Sequence, residues 1–192
     1  MYAIPLGDDG AELRPLEPRH AEELLANLDR GREFIGRFVS LPDLVTDLES
    51  SRAYLHSYAT KAAADAGRID GIWLDDVLVG GVVFRTMSLA EGMVEVGCWL
   101  EPAAVGRGLV TTAARVIIDW AVVDRGIHRV EWRAATANEA SIAVARRLGM
   151  TREGVLRESF PHHGVRYDIE VWSVLAPEWL ATTHEGPGAA RR

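Results

Sequence analysis

The run MVEVGCWLEPAAVGRGLVTTAARVIIDWAVV, residues 93–123, decides how the rest of the chain is arranged. Met93–Leu100 is apolar and rich in strand formers. Residues 101–108 form a loop that carries Pro102, Gly106 and Gly108. From Leu109 onward, apolar side chains fall at 109, 113, 116, 117, 120 and 123, the spacing of one helix face. A strand therefore ends, a glycine loop turns, and a helix begins. The first N–H groups of a helix have no partner inside it and carry partial positive charge, so the junction suits an anion. Glycine lets that anion approach the backbone closely. The stretch reads as a phosphate cradle, with a plain strand–turn–helix as the alternative. It is not a dinucleotide fingerprint, because Thr111 stands where a third glycine would fall. It is not a P-loop either, because no GK[ST] follows.

At 192 residues, 48% apolar and 26% charged, the chain suits one soluble globular domain with a sizeable core. No apolar run approaches the roughly 18–20 residues that span a bilayer. The start, MYAIPLGDDGAE, lacks the basic and apolar stretches of a signal peptide. A single cysteine, Cys98, excludes an internal disulfide and suits a reducing cytoplasm. The net charge of −7, from 28 acids and 21 bases, argues against nucleic acid and fits a cationic amine or basic peptide. The expected boundaries are an N-terminal extension over 1–10, one domain over 11–180, and a disordered tail over 181–192.

Residues 11–16 predict a first strand. Pro18 opens a helix with an apolar face at Ala21, Leu24, Leu25 and Leu28, and Gly31 stops it. Residues 32–45 are apolar without a clean period, a partly helical connection. Thr46 or Asp47 caps a second helix, buried through Leu48, Ser51, Leu55, Tyr58, Ala62 and Ala66 and ended by Gly67. Two strands, 69–74 and 77–87, meet at Asp75-Asp76, a hairpin turn by composition. After the long helix, residues 130–134 predict a strand and 138–148 a helix closed by Gly149. Residues 150–160 and 165–175 form a hairpin around PHHG. Strands alternate with helices only in the middle, which predicts a mixed α/β sheet rather than a doubly wound parallel one.

The run EVGCWLEPAAVGRGLVTTA resembles the acetyl-CoA motif of the GNAT superfamily of N-acetyltransferases, and more narrowly its RimJ/RimL-like branch. That pattern, Q/R-x-x-G-x-G/A, falls on residues 103–108, with Ala103 in place of Gln or Arg. Asn138 and Ser141, followed by IAVARRLGM, resemble the family's N-x-x-S…A-x-x-x-G-[FM] signature. The order of elements is also that of the family. The resemblance implies a single-domain GNAT-like fold, with a central, mostly antiparallel sheet splayed at the acyl-CoA cleft and flanked by helices. It implies acetyl-CoA as acyl donor, with backbone and side chains of Trp99, Leu100, Val105, Gly106, Arg107, Gly108, Leu109, Val110, Asn138, Ser141 and Arg146 at the cofactor. It implies no metal, and homodimerisation fits the family. The acceptor is a primary amine: a protein N-terminus, a lysine or a small molecule. A larger donor such as succinyl-CoA and a non-catalytic acyl-CoA-binding or regulatory protein stand as alternatives.

Direct attack of an amine on the thioester needs a donor for the oxyanion, a proton for the thiolate and an outlet for the amine proton. The resemblance places the oxyanion donor among the backbone N–H groups of Trp99 to Glu101 and gives the thiolate to Ser141. Asn138 would bond the pantetheine arm, or serve only as a helix cap. Glu95 shares a strand face with Gly97 and Trp99 and either orders a water as base or makes a structural ion pair. Glu158 is the second candidate, if its strand is regular. Arg146 and Arg147 reach CoA phosphates or remain solvated helix charges. His162 and His163 are adjacent, so on an extended chain they point opposite ways, a poor metal geometry. They decorate a turn, one of them near the acceptor. Tyr167-Asp168 offers an orienting hydrogen bond, and Cys98 lacks a histidine partner that would make it a nucleophile.

Overall fold

The computed structural model describes residues 3–7 and 10–184. Among them, one sheet holds β1 (Ile4–Pro5), β2 (Ala11–Pro15), β3 (Arg68–Leu74), β4 (Val77–Ser88), β5 (Met93–Leu100), β6 (Arg129–Ala135), β7 (Thr151–His162) and β8 (Val165–Leu175). Their order across the sheet is β1-β2-β3-β4-β5-β6-β8-β7. Every neighbouring pair is antiparallel except β5 with β6. A parallel pair needs a long crossover, and here it contains the glycine loop and α4 (Leu109–Asp119). The remaining helices are α1 (Ala21–Gly36), α2 (Leu41–Leu44), α3 (Leu48–Ala63), α5 (Glu139–Arg147) and α6 (Ala176–His184). No described helix is long and apolar enough to cross a membrane.

Period-two alternation sorts the strands' side chains into two cores. Val82, Phe84, Val94, Val96 and Trp132 face α4, α5 and α6, meeting Ala113, Ile117, Ile142 and Trp179. Ile69, Trp73, Leu78, Val83 and Trp99 face the other way, onto Leu24 and Leu28 of α1 and Leu55 of α3. The helices hold their registers by local chemistry. Asp47 accepts the Ser50 N–H at 2.8 Å and donates its own N–H to Ser50 Oγ at 3.0 Å. This reciprocal cap contributes about 1 kcal/mol. The β3–β4 turn sets Asp75 at φ 49° and Asp76 at φ 62°, as a two-residue hairpin demands.

Several expectations change. Gly31 kinks α1 (φ −134°, ψ 17°) instead of stopping it, and the helix continues to Gly36. A side chain at 31 would meet Pro102 Cδ at 3.0 Å, so the glycine marks a close approach of the donor loop. Ala62 is exposed on α3, and Val123 is 64% exposed where α4 has widened into a π turn over Trp120–Asp124. Part of the stretch assigned to an N-terminal extension pairs as β1, and Leu6 joins the core. The stretch assigned to a tail begins inside α6; residues 185–192 lie outside the described residues.

Arg129 on β6 reaches across β8 to Glu153 on β7, donating from Nη1 to Oε1 at 2.7 Å, and Ser173 Oγ donates to the same carboxylate at 2.8 Å. The Arg129 bond, then the Ser173 bond, hold the Glu153 carboxyl down to about 2, below its ordinary 4.5. A depressed carboxyl pKa adds stability above the unfolded value that is lost as pH falls through the folded one. Glu153→Gln is therefore expected to lower the urea midpoint at pH 7 and to differ progressively less from the parent between pH 4.5 and pH 2.

Candidate active site

The β5–β6 ladder runs from Met93↔Arg129 to Val96↔Trp132 and ends there, although β5 continues to Leu100 and β6 to Ala135. The two strands part into a cleft. β4 still pairs with β5 up to Gly80↔Leu100, and the Glu101 N–H donates to Val79 O at 2.9 Å. Backbone groups alternate sides along a strand. With Glu101 turned to β4, Trp99 and Gly97 turn to β4 as well, and Cys98 and Leu100 present their N–H and C=O groups to the cleft. Of the N–H groups expected to meet the oxyanion, those of Trp99 and Glu101 face β4 and that of Leu100 faces the cleft, as does that of Cys98.

Beyond the strand, Gly106 (φ 86°) and Gly108 (φ 75°) take left-handed conformations open to glycine, and no atom lies within 4 Å of a side chain added at either. Gly108 caps α4, and its carbonyl accepts the first helical bond, from Thr112 at 3.1 Å. The N–H groups of Leu109, Val110 and Thr111 thus have no helical partner. Leu109 and Val110 bury their side chains in the core, while Ala103, Val105 and Arg107 are exposed around the loop. The residues fit a pyrophosphate: helix N–H groups without a helical partner, glycine clearance and the exposed Arg107 side chain at the rim.

Across the cleft, Asn138 caps α5, its Oδ1 accepting the Ser141 N–H at 3.1 Å. The cap uses the carbonyl oxygen and leaves the amide N–H groups to donate. Ser141 Oγ accepts a hydrogen bond from Trp132 Nε1 at 2.9 Å. Arg146 is exposed and places its guanidinium 5.6 Å above the Trp172 ring.

The end of β5 is tied to α1 by a buried network. Trp99 Nε1 donates to Asn27 Oδ1 at 2.9 Å, and Asn27 Nδ2 donates to Glu101 Oε2 at 2.9 Å. Arg30 Nε donates to the same oxygen at 2.9 Å. Gly80 and Gly81 leave room for this, since a side chain at 81 would run into the Trp99 indole. The side chains of Asn27, Arg30 and Glu101 were not among the expected site groups. Two sequence signals pointed to them: a polar Asn27 on the apolar face with Leu24 and Leu28, and a glycine pair inside a strand.

The carboxylates separate. Glu95 sits two residues before the parting of the strands, 16% exposed, with Arg85 Nε at 3.4 Å and Arg133 Nε at 3.9 Å. It borders a cavity of about 170 Å³ shared with Met93, Glu131 and Arg133, room for several waters. Glu158 does not take the face expected of a regular strand. Register breaks between Leu156 and Phe160, Glu158 adopts φ 50°, and its N–H is held by Asp168 Oδ1 at 2.7 Å. The side chain is exposed on the outermost strand. Asp168 thereby supplies an orienting hydrogen bond, to the bulge. Burial pushes the Cys98 thiol up to about 12, so it stays protonated at neutral pH.

The histidines also depart from expectation. Their rings stack at 3.9 Å, because His163 (φ 47°) and Gly164 (φ 78°) turn the chain out of the extended form. His162 is buried and directs Nε2 to Gly36 O at 2.6 Å; a carbonyl only accepts, so that nitrogen carries the proton. His163 Nε2 lies 3.0 Å from Asp43 Oδ2. Donor atoms of Asp43, His162 and His163 lie within 4.8 Å of one another, but rings inclined by only 22° do not aim lone pairs at one point. The arrangement clamps the β7–β8 turn to α1 and α2. Beside it runs a groove of about 1060 Å³ lined by Arg30, Arg32, Arg37, Asp43, Pro102 and His163.

Residues 11–151 match the family described as Acetyltransferase (GNAT) domain. The chain belongs to the GNAT acetyltransferase family. YjcK of Bacillus subtilis (strain 168), named a probable N-acetyltransferase, is 30% identical over 86% of this chain and 94% of its own. RimL, a ribosomal L7/L12 alpha-N-protein acetyltransferase solved with coenzyme A, shares the fold with a TM-score of 0.86 at 20% identity, covering 91% of this chain and 98% of its own. The microcin C7 self-immunity acetyltransferase MccE, solved with acetyl-CoA and AMP, superposes with a TM-score of 0.80 at 26% identity, covering 90% and 97%. This GNAT protein is an acetyl-CoA-dependent N-acetyltransferase. The expected single-domain mixed α/β fold is the one observed.

Asn27→Ala strips the buried Trp99 Nε1 of its acceptor and leaves Glu101 with Arg30 alone. It is expected to cost about 1–3 kcal/mol in urea unfolding, the cost of one orphaned buried donor.

Proposed function

We propose that this acetyltransferase transfers acetyl to the amine of a polypeptide, an exposed N-terminus in the first instance, in the cytoplasm. The groove beside Pro102 carries the acceptor half of this reading. At about 1060 Å³ it is at the upper end of small-molecule pockets, and its walls are charged rather than apolar. Arg30, Arg32, Arg37 and Asp43 offer partners of both signs, and together with exposed Phe34 they suit an extended peptide better than a compact amine. Pro102 is common to the groove and the donor loop, so an acceptor lying in the groove leads toward the cleft. The relative named for acetylating a ribosomal protein supports the same acceptor class. The single free cysteine fits a reducing compartment.

In this reading the N–H groups of Leu109 to Thr111 and Arg107 hold the pyrophosphate, and the Asn138 amide bonds the pantetheine arm. The cleft-facing N–H of Cys98 or Leu100 receives the oxyanion, where a fixed donor is worth most. Ser141 keeps its hydroxyl proton for the thiolate. Glu95 lies three residues from Cys98, about 10 Å along the strand, too far to take a proton directly and suited to act through water in the adjoining cavity.

Free-thiol release from acetyl-CoA is expected with peptides bearing a free N-terminus, and to fall at least tenfold when the N-terminus is blocked. Turnover with small amines and none with peptides would overturn the acceptor assignment, and calorimetry with acetyl-CoA checks donor binding separately. Glu95→Gln is expected to lower kcat and flatten the acid limb of the pH–rate profile. A profile that keeps its shape removes Glu95 as the base.

A further inference from the structure

Trp132 stands on the last rung of the β5–β6 ladder, where the strands part, and is 1% exposed. Its side chain lies on the α4/α5 face of the sheet, and Nε1 reaches the first turn of α5. A buried indole N–H must find an acceptor inside the protein, because water is not at hand. Here that acceptor is Ser141 Oγ, at 2.9 Å.

A serine in a helix can instead turn its O–H back onto a carbonyl of the preceding turn. Among the described residues Ser141 makes no such bond; its only side-chain partner is the indole, and the side chain is half-buried at the cleft. One lone pair is thus occupied and the hydroxyl proton is left without a protein acceptor.

We propose that Trp132 is a positioning residue for the transfer reaction. Its indole N–H fixes Ser141 so that the O–H proton points into the cleft at the departing sulfur. The inference rests on the assignment of Ser141 to the thiolate made above. In the step it serves, the amine nitrogen forms the new N–C bond and the C–S bond breaks with its electron pair going to sulfur. Sulfur takes the Ser141 proton, and the proton that Glu95 collects through water from the attacking amine is passed back through water to restore the hydroxyl. As the proton leaves, negative charge grows on Oγ, and the indole N–H is already in place to meet it without reorganisation. A purely structural tryptophan would fill the same space and leave this charge unanswered.

The test is a double-mutant cycle of Trp132→Phe and Ser141→Ala, read as kcat and KM for acetyl-CoA with a peptide acceptor. Calorimetric affinity for acetyl-CoA shows that each variant retains its cleft. Loss of one neutral hydrogen bond predicts a three- to tenfold fall in kcat for Trp132→Phe, on the order of one such bond, with KM unchanged. Ser141→Ala is expected to fall at least as far, and Trp132→Phe to cost nothing more in its background. If Phe fails to fold, Trp132→benzothienylalanine keeps the bicyclic shape and deletes only the N–H, with the same expected fall. A slow Ser141→Ala beside either Trp132 variant at the wild-type rate would sink the positioning role alone. An equal loss from the Trp132 change with and without the hydroxyl would do the same. A Ser141→Ala enzyme at full rate would sink the assignment of Ser141 to the thiolate and the inference with it.

Discussion

The parallel ladder between β5 and β6 lasts four rungs, and everything that makes the protein an acyl-CoA enzyme depends on its stopping there. Backbone N–H and C=O groups demand partners. Two strands that separate inside a sheet leave rows of them facing each other across a gap. The separation is not looseness. β5 remains paired with β4 to its last residue, and β6 with β8 to Ala135. Each strand is rigid along its outer edge and unpaired along its inner one, so the cleft is preformed and its donors are fixed. A ligand with amides and an acyl carbonyl can supply what the absent rungs would have supplied.

The two faces of the sheet divide the labour. On one side, α4 and α5 bring the helix N-terminus, Asn138 and Ser141 to the cleft through an apolar core that includes Trp132 and Val96. On the other, α1 grips the end of β5 through Asn27, Arg30 and Glu101, the last only 6% exposed. Burying that carboxylate is costly unless it is fully bonded, and here the cost is offset by two donors from one helix. The consequence is geometric: the helix that lines the charged groove also fixes the end of β5 that borders the cleft. Gly31 lets Pro102 pack against the kink, and His162 and His163 fasten the far hairpin to the same helix and to α2. Cleft and groove therefore share one support.

Much of this was legible in the chain. Hydrophobic spacing identified the strand and helix around the glycine loop, and turn chemistry identified the hairpin at Asp75-Asp76. The resemblance of Asn138 and Ser141 to the family signature pointed to acyl-CoA. What escaped depends on departures from ideal geometry. Glu158 was assigned by alternation and displaced by a bulge. The histidine pair was expected to diverge and instead stacks because one residue takes a left-handed φ. Which N–H groups of β5 face the cleft escaped as well, because that alternation is set by the partner strand, not by the strand's own sequence.

By itself, the sequence determined the elements, their order and the class of ligand, because these follow from local periodicity, glycine placement and short motifs. Only the tertiary structure decided which backbone groups are free, which carboxylate stands near the cleft, and which partners Trp132, Asn27 and Glu101 bond. Those answers depend on contacts between residues up to 74 positions apart, as between Asn27 and Glu101. They also depend on where a ladder ends. Neither leaves a periodic trace, because a hydrogen bond across the fold constrains a distance in space and nothing in the spacing along the chain.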